Sequence, residues 1–411
     1  MTITGSGSVP SLINGKALPY SFWGPDALGL GDQAHEAVPA VQVPLRDGYT
    51  ITSVLREHDV RAILADRDCQ RFSQNYALVG KALGDKFEAA GKPRETMGLV
   101  HPLAMLFNIG DEHMRLRTPF RQWFTRTRLP EAEIRQVTDQ LIAAWPGPGE
   151  PFDLVDALAF PLAMTIICNL LGVPASDRDM VRPWTHDMMA ADQETSVGGS
   201  LKLAAYLADL LKAKAAKPGE DILSALLTAS AHGPRLTDAE ILTNAVLLVI
   251  AGHETTVGLI SNMVVALLQH RLWRSVVADT SLIPAAVQET LWCHAPLKNA
   301  AYRVAVCDVD LGEGVVIPEG DVVLPNLLTA NRGWRRRRPN PDVFDLYRPK
   351  EASLAFGHGA HACLGAQLAQ LEARIAAAAM VAKAPDLQLH SVGEFRESQI
   401  THRPDQVLVS Y

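Results

Sequence analysis

Apolar positions recur along this chain mostly at spacings of three and four, the period of helices that bury one face. The stretches HMRLRTPFRQWFTR, LVDALAFPLAMTIICNLLG, LKLAAYLADLLKAKAAK and, after Pro218, EDILSALLTAS all read this way. Earlier, the β-branched run TITSV between Tyr49 and Leu55 predicts a strand, and REHDVRAILAD then sets Val60, Ile63 and Leu64 at helical spacing. The region from Phe72 to Gly110 is punctuated by glycine and reads as loop. Residues 1–45, rich in Gly, Pro and Ser with weak periodicity, read as an irregular lead-in, and residues 46–411 as one domain.

The strongest start signal is Thr237 with Glu240 three residues on, a capping box before ILTNAVLLVIAGHETTVGLISNMVVALLQH. That helix should run about thirty residues and, being apolar on almost every side, should cross the interior. Pro284 suits the first position of another helix, which carries Glu289 and Trp292 and must end before Pro296. Short strands follow in YRVAVCDVDL, GVVIPEG and DVVLPNLL, and a last helix places Leu364, Leu368, Leu371 and Ile375 on one face. The expected fold is mainly α with small β-sheets.

Composition changes this picture little. The chain has 411 residues, 48% hydrophobic and 20% charged, enough to bury a large core. A net charge of -7 lacks the broad basic face of a nucleic-acid binder. The five cysteines, Cys69, Cys168, Cys293, Cys307 and Cys363, are scattered and odd in number, which fits a reducing cytoplasm better than a disulfide framework. The N-terminus lacks a signal-peptide pattern, and no segment reaches roughly 18 uninterrupted apolar residues, so neither secretion nor a membrane span is expected.

Chemistry concentrates around Cys363, which follows a glycine-rich loop and opens a helix, where backbone N–H groups favour a thiolate. A lone cysteine is more often a small buried hydrophobe. Gly357, Gly359 and Ala362 also fit a dinucleotide fingerprint, but only 46 residues follow Gly365, too few for the further strand–helix units such a fold needs. A zinc site from His358, His361 and Cys363 lacks a second ligand cluster at zinc spacing.

Taken together, Phe356, Gly357, Gly359, His361, Cys363 and Gly365 match F-G-x-G-x-H-x-C-x-G, and the loop resembles the haem-ligand loop of the cytochrome P450 family. The resemblance implies a single-domain fold with haem b buried between the long helix and the Cys-loop helix. Cys363 would ligate iron, and His361 would bond a haem carboxylate. Ala251 to Thr256 is similar to the family's A-G-x-[DE]-T-T segment, where Thr255 would hold a water in a local opening of the helix and Glu254 would feed it a proton. A plainer reading has the threonines bonded back to carbonyls and Glu254 paired elsewhere. GDEHMRLRTPF resembles the family's E-H-x-R-L-R helix, setting His113 and Arg117 four apart on one face to meet haem propionates, with Arg303 as a third partner. The likeness continues through Ala330 to Arg332 and Phe344 to Arg348.

One departure stands out: Trp292 occupies the place of the arginine in the family's E-x-x-R motif, leaving Arg348 as the partner expected for Glu289. The implied activity is insertion of one oxygen atom from dioxygen into a small organic substrate, with electrons from a separate ferredoxin and its NAD(P)H-dependent reductase. Peroxide-driven oxygenation, a non-oxygenating isomerase and a catalytically retired haem-binding protein are the alternatives. Substrate contacts are expected from four stretches, Met97 to Phe107, Trp184 to Ala191, Leu297 to Ala301 and Ser398 to Thr401. The run Arg335, Arg336, Arg337 and Arg338 is a candidate docking patch for the electron donor.

Overall fold

The computed structural model describes residues 12–13, 16–17, 27–44, 49–91, 100–188, 193–228, 235–333, 340, 342–349, 352–395, 398 and 400–411. The arginine run 335–338 and parts of three of the expected contact stretches, 97–99, 189–191 and 399, lie outside them. The long helix is Asp238–Gln269, 32 residues, begun by the expected capping box. Thr237 N donates to Glu240 Oε2 at 2.7 Å and Glu240 N donates back to Thr237 Oγ1 at 3.2 Å. It is the one helix among the described residues long and apolar enough to cross a membrane, and 83% of its apolar window is buried inside the protein, as befits a core helix.

Four helices are its main neighbours: Phe160–Leu171, Gln193–Ala216, Ile283–Cys293 and Ala366–Lys383. The approach of Phe160–Leu171 is tight because Gly252 faces it; a Cβ there would lie 2.7 Å from Ile167 Cγ1. Helix Ile283–Cys293 starts where Pro284 fits the first turn.

To one side lies a five-stranded sheet in the order Ala40–Pro44, Thr50–Val54, Val322–Pro325, Arg303–Ala305, Phe72–Ser73. Thr50–Val54 runs parallel to Val322–Pro325, with Val323 opposite Thr52, and the other pairings are antiparallel. A three-stranded sheet joins Gln388–Val392, Val407–Ser410 and Phe152–Asp153.

Two expectations fail here. Residues 27–44 are not lead-in: Ala27–Ala37 is a helix and Ala40–Pro44 an edge strand, with Ala34, Val41 and Val43 fully buried. The strand's partner, Thr50–Val54, supplies the burial that local periodicity did not announce. Nor is the region after Phe72 all loop, since Tyr76–Ala89 is a helix, begun by Asn75 accepting from Ala77 N at 2.9 Å. Its glycines, Gly80 and Gly84, lie with Val79, Leu83 and Phe87 on the buried face, where small residues ease packing instead of breaking the helix.

Glu289 is buried and has replacement partners. Its Oε1 accepts from Arg348 Nε at 3.0 Å and from Asp345 N at 3.2 Å. Trp292, one turn on, is 2% exposed and belongs to the main core. We expect Trp292→Arg to destabilise the protein by about 3 kcal/mol or more, because it deletes a large buried apolar surface and adds a charge beside an occupied carboxylate. Thermal unfolding of the purified variant checks this, and an equal or higher midpoint would show the tryptophan to be a packing defect.

Candidate functional site

The loop 354–365 is shaped by its glycines. Gly357 and Gly359 have φ of +68° and +76°. A Cβ on Gly359 would lie 2.3 Å from Leu64 O, so only glycine lets the loop rest on the end of helix Glu57–Ala65. Gly357 N donates to Leu354 O and Cys363 N to Phe356 O, both at 2.8 Å, folding the chain back beneath Cys363. The Phe356 ring packs on the main core.

Cys363 does not itself open the terminal helix. A short turn, Gly359–His361, precedes it, and the helix Ala366–Lys383 is capped by Gly365, two residues beyond the cysteine. The expected backbone support survives in altered form, as an N–H from Gly365 directed at the sulfur. Burial pushes the thiol pKa up, while that N–H and the charge of Arg117 pull it down. The sulfur is deep among protein atoms, yet Cys363 is solvent-accessible, so it lines an internal cavity.

Four basic side chains converge beside it from three elements. Helix Gly110–Arg121 presents His113 and Arg117 on one face, as their spacing predicts. The His113 ring stacks on His361 with centroids 4.0 Å apart at 28°, and Arg117 Nη2 donates to Ala362 O. Arg303, on the strand Arg303–Ala305, is buried and donates from Nη1 to the carbonyls of Ala301 at 3.0 Å and Tyr302 at 3.3 Å. Burial lowers Arg303 to about 10, and burial with the charge of Arg117 lowers His113 to about 4. Burial, with His113, Arg303 and Arg117 nearby, pushes His361 to about 2.

No carboxylate among the described residues forms an ion pair with Arg117 or Arg303. Asp66 tempers Arg303 only at a distance, since its oxygens accept from the N–H groups of Gln70, Arg71 and Phe72. His113 Nε2 is buried without a hydrogen-bond partner. Two guanidinium groups with no carboxylate partner among the described residues, beside two neutral histidines of which one has an unpartnered ring nitrogen, suit a negatively charged guest. A thiol lining the same cavity, over a glycine-relieved loop, fits a flat metal-bearing ring with carboxylate arms. Haem has that chemistry.

The long helix packs against the terminal helix that follows the Cys363 loop. Thr243, Leu247, Ala251 and Thr255, spaced by four, form an accessible stripe on a helix buried over most of its length. The helix runs unbroken through this stretch, where the sequence led us to expect a local opening. Thr255 Oγ1 donates to Ala251 O at 2.8 Å and Thr256 Oγ1 to Gly252 O at 3.3 Å, the back-bonding of the plainer reading. Glu254 is also paired, with Arg403 donating to its Oε2 from Nε at 2.9 Å and Nη2 at 2.8 Å. Although burial alone would raise its pKa, His253 and Arg403 hold Glu254 near 2.

Sequence reasoning missed Arg403, which lies 149 positions from Glu254 in a segment without a motif. The structure thus brings His113, Arg117, Arg303, His361 and Cys363 together, while Glu254 and Thr255 stand on the neighbouring helix with no bond to that group. Two expected contact stretches are stitched to each other by a bridge between Leu297 and Thr401. A third is tied to the long helix, where Met105 N donates to Asn244 Oδ1 at 2.8 Å.

Comparison with known proteins gives the family of the chain. The cytochrome P450 family model matches residues 275–383. The chain is 40% identical over 357 residues to the cytochrome P450 monooxygenase PikC of Streptomyces venezuelae, covering 85% of this chain and 82% of that one. It is 33% identical over 409 residues to the nocardicin C N-oxygenase of Nocardia uniformis, covering 95% and 98%. The solved structure of the P450 monooxygenase TamI bound to tirandamycin C superposes with a TM-score of 0.86 at 32% identity, over 96% of this chain and 99% of that one. With its fold, its cation-lined cavity and these relatives in agreement, the chain belongs to the cytochrome P450 family and is a haem b monooxygenase.

Proposed function

We propose that Cys363 is the iron ligand and that His113, Arg117, Arg303 and His361 hold the haem carboxylates, with Phe356 and Gly365 shaping the bed beneath the ring. The observation that carries this reading is that Arg117 and Arg303, without a carboxylate partner among the described residues, stand with His113 and His361 beside Cys363. Bound haem supplies dioxygen activation, to which a thiolate ligand contributes by pushing electron density onto iron, as is general for cytochromes P450. The protein's own part is to give the Cys363 sulfur an N–H from Gly365 and the charge of Arg117, both favouring the thiolate, while burial is the larger effect and pushes the thiol pKa up. His113 Nε2 takes a carboxylate oxygen as its missing partner when it carries the proton there.

On the long helix, the accessible stripe supports a role for Thr255 at the cavity wall, its hydroxyl fixed by Ala251 O and its lone pairs free to hold a water. Glu254, the next residue, relays a proton to that water through its Oε1, which has no hydrogen-bond partner. The substrate is a small organic molecule, and Leu297, Ile400 and Thr401 belong to its contact surface. Electrons come from a separate ferredoxin-type donor, reduced by an NAD(P)H-dependent partner enzyme.

Three outcomes test these assignments. Cys363→Ala should abolish the thiolate-type ferrous carbonyl spectrum in a folded protein; survival of that spectrum would displace Cys363 as the ligand. Thr255→Ala and Glu254→Gln should keep haem and substrate affinity yet raise peroxide released per NADPH consumed by roughly tenfold or more, within the usual size of acid–base contributions. Unchanged coupling in both variants would remove the relay. Reversing two charges in the run Arg335 to Arg338 should slow reduction by the donor mainly at low ionic strength, and a rate indifferent to both salt and charge reversal would exclude that patch.

A further inference from the structure

Arg403 is absorbed by neither the haem cluster nor the substrate stretches, yet it makes one of the best-formed buried ion pairs in the protein. Arg403 and Glu254 are 4% and 3% exposed. Both guanidinium contacts fall on one oxygen, Oε2, while Nη1 donates to Pro404 O at 3.0 Å and fixes the plane of the fork. Room for it is made on the helix itself. Gly258 lies one turn beyond Glu254 on the same face, and a Cβ there would sit 2.7 Å from Pro296 Cβ and 3.3 Å from Arg403 Cβ. The chain carrying Arg403 is pinned as well, with His402 N donating to Pro296 O and Asn262 Nδ2 donating to His402 O, each at 2.8 Å.

We propose that Arg403 is a positioning residue for Glu254: it fixes Oε2 and so leaves Oε1 as the single oxygen that exchanges a proton. This rests on the relay role given to Glu254 above. Oε1 has no hydrogen bond and stands 3.5 Å from His253 Nε2, which is likewise unpartnered. His253 on the same helix and Arg403 from the carboxy-terminal segment are the charged groups that act on Glu254. An opposite charge favours the ionised carboxyl and burial disfavours it, so removing Arg403 must move protonation of Glu254 to higher pH.

Infrared difference spectra of the haem-loaded protein, taken as pH is lowered, report the protonated carboxyl of Glu254 as the band missing from Glu254→Gln. We expect Arg403→Gln to raise the midpoint of that band by about 2 pH units and Arg403→Lys to restore most of it. An unchanged midpoint in Arg403→Gln overturns the proposal. Should that variant fail to fold, Gly258→Ala crowds the base of the Arg403 side chain at its Cβ, displacing the arginine without removing it, and should shift the band in the same direction; no shift there would also count against it. Peroxide released per NADPH consumed, with a plant-type ferredoxin and its reductase as surrogate donors, separates the two claims. A shifted band in Arg403→Gln with unaltered peroxide in Glu254→Gln would sink the relay role of Glu254 and leave the hold of Arg403 on it standing.

Discussion

Uncompensated positive charge in the interior is the constraint on which this structure turns. Desolvated cations are normally matched by carboxylates, because burial otherwise drives them toward their neutral forms. Arg332 obeys that rule with Asp32, Lys214 with Asp221, and Arg348 with Glu289. Around Cys363 it is broken: among the described residues Arg117 and Arg303 bond only backbone carbonyls, and the two histidines are depressed by burial and by the neighbouring charges. In the proposed reading a bound dianion would pair with both arginines at once. The sheet delivers Arg303, and helix Gly110–Arg121 delivers His113 and Arg117.

The same physics divides the cavity into two chemical halves. Beneath the ring position, charge is left open to an outside partner; on the long helix, Glu254 is closed within the protein by Arg403. In the proposed reading the first half binds and the second holds a proton position. Small residues make both possible, since Gly359 admits the backbone of helix Glu57–Ala65 and Gly258 admits Pro296 and Arg403. Each glycine acts by what it omits.

Much of this was legible in the sequence where the signal is local. The capping box at Thr237, the strand TITSV and the four-residue spacing of His113 and Arg117 each depend on neighbours within a turn or a strand, and each holds. The helix Tyr76–Ala89 was hidden because its glycines look like breakers until a packing face is known. The strand Ala40–Pro44 was hidden because its burial depends on a partner strand, and the Arg403 pair because it joins residues 149 apart. Glu289 with Arg348 was expected only because the missing arginine at Trp292 posed the question of what replaced it.

The central claim is that the cavity thiol and the cations beside it hold haem as one unit. X-ray absorption at the iron edge of the purified, haem-loaded protein tests it most directly. The account predicts four ring nitrogens and one sulfur at bonding distance, with the sulfur contribution lost when Cys363 alone is replaced and haem is restored. An iron bound only by nitrogen and oxygen in the unaltered protein would contradict it.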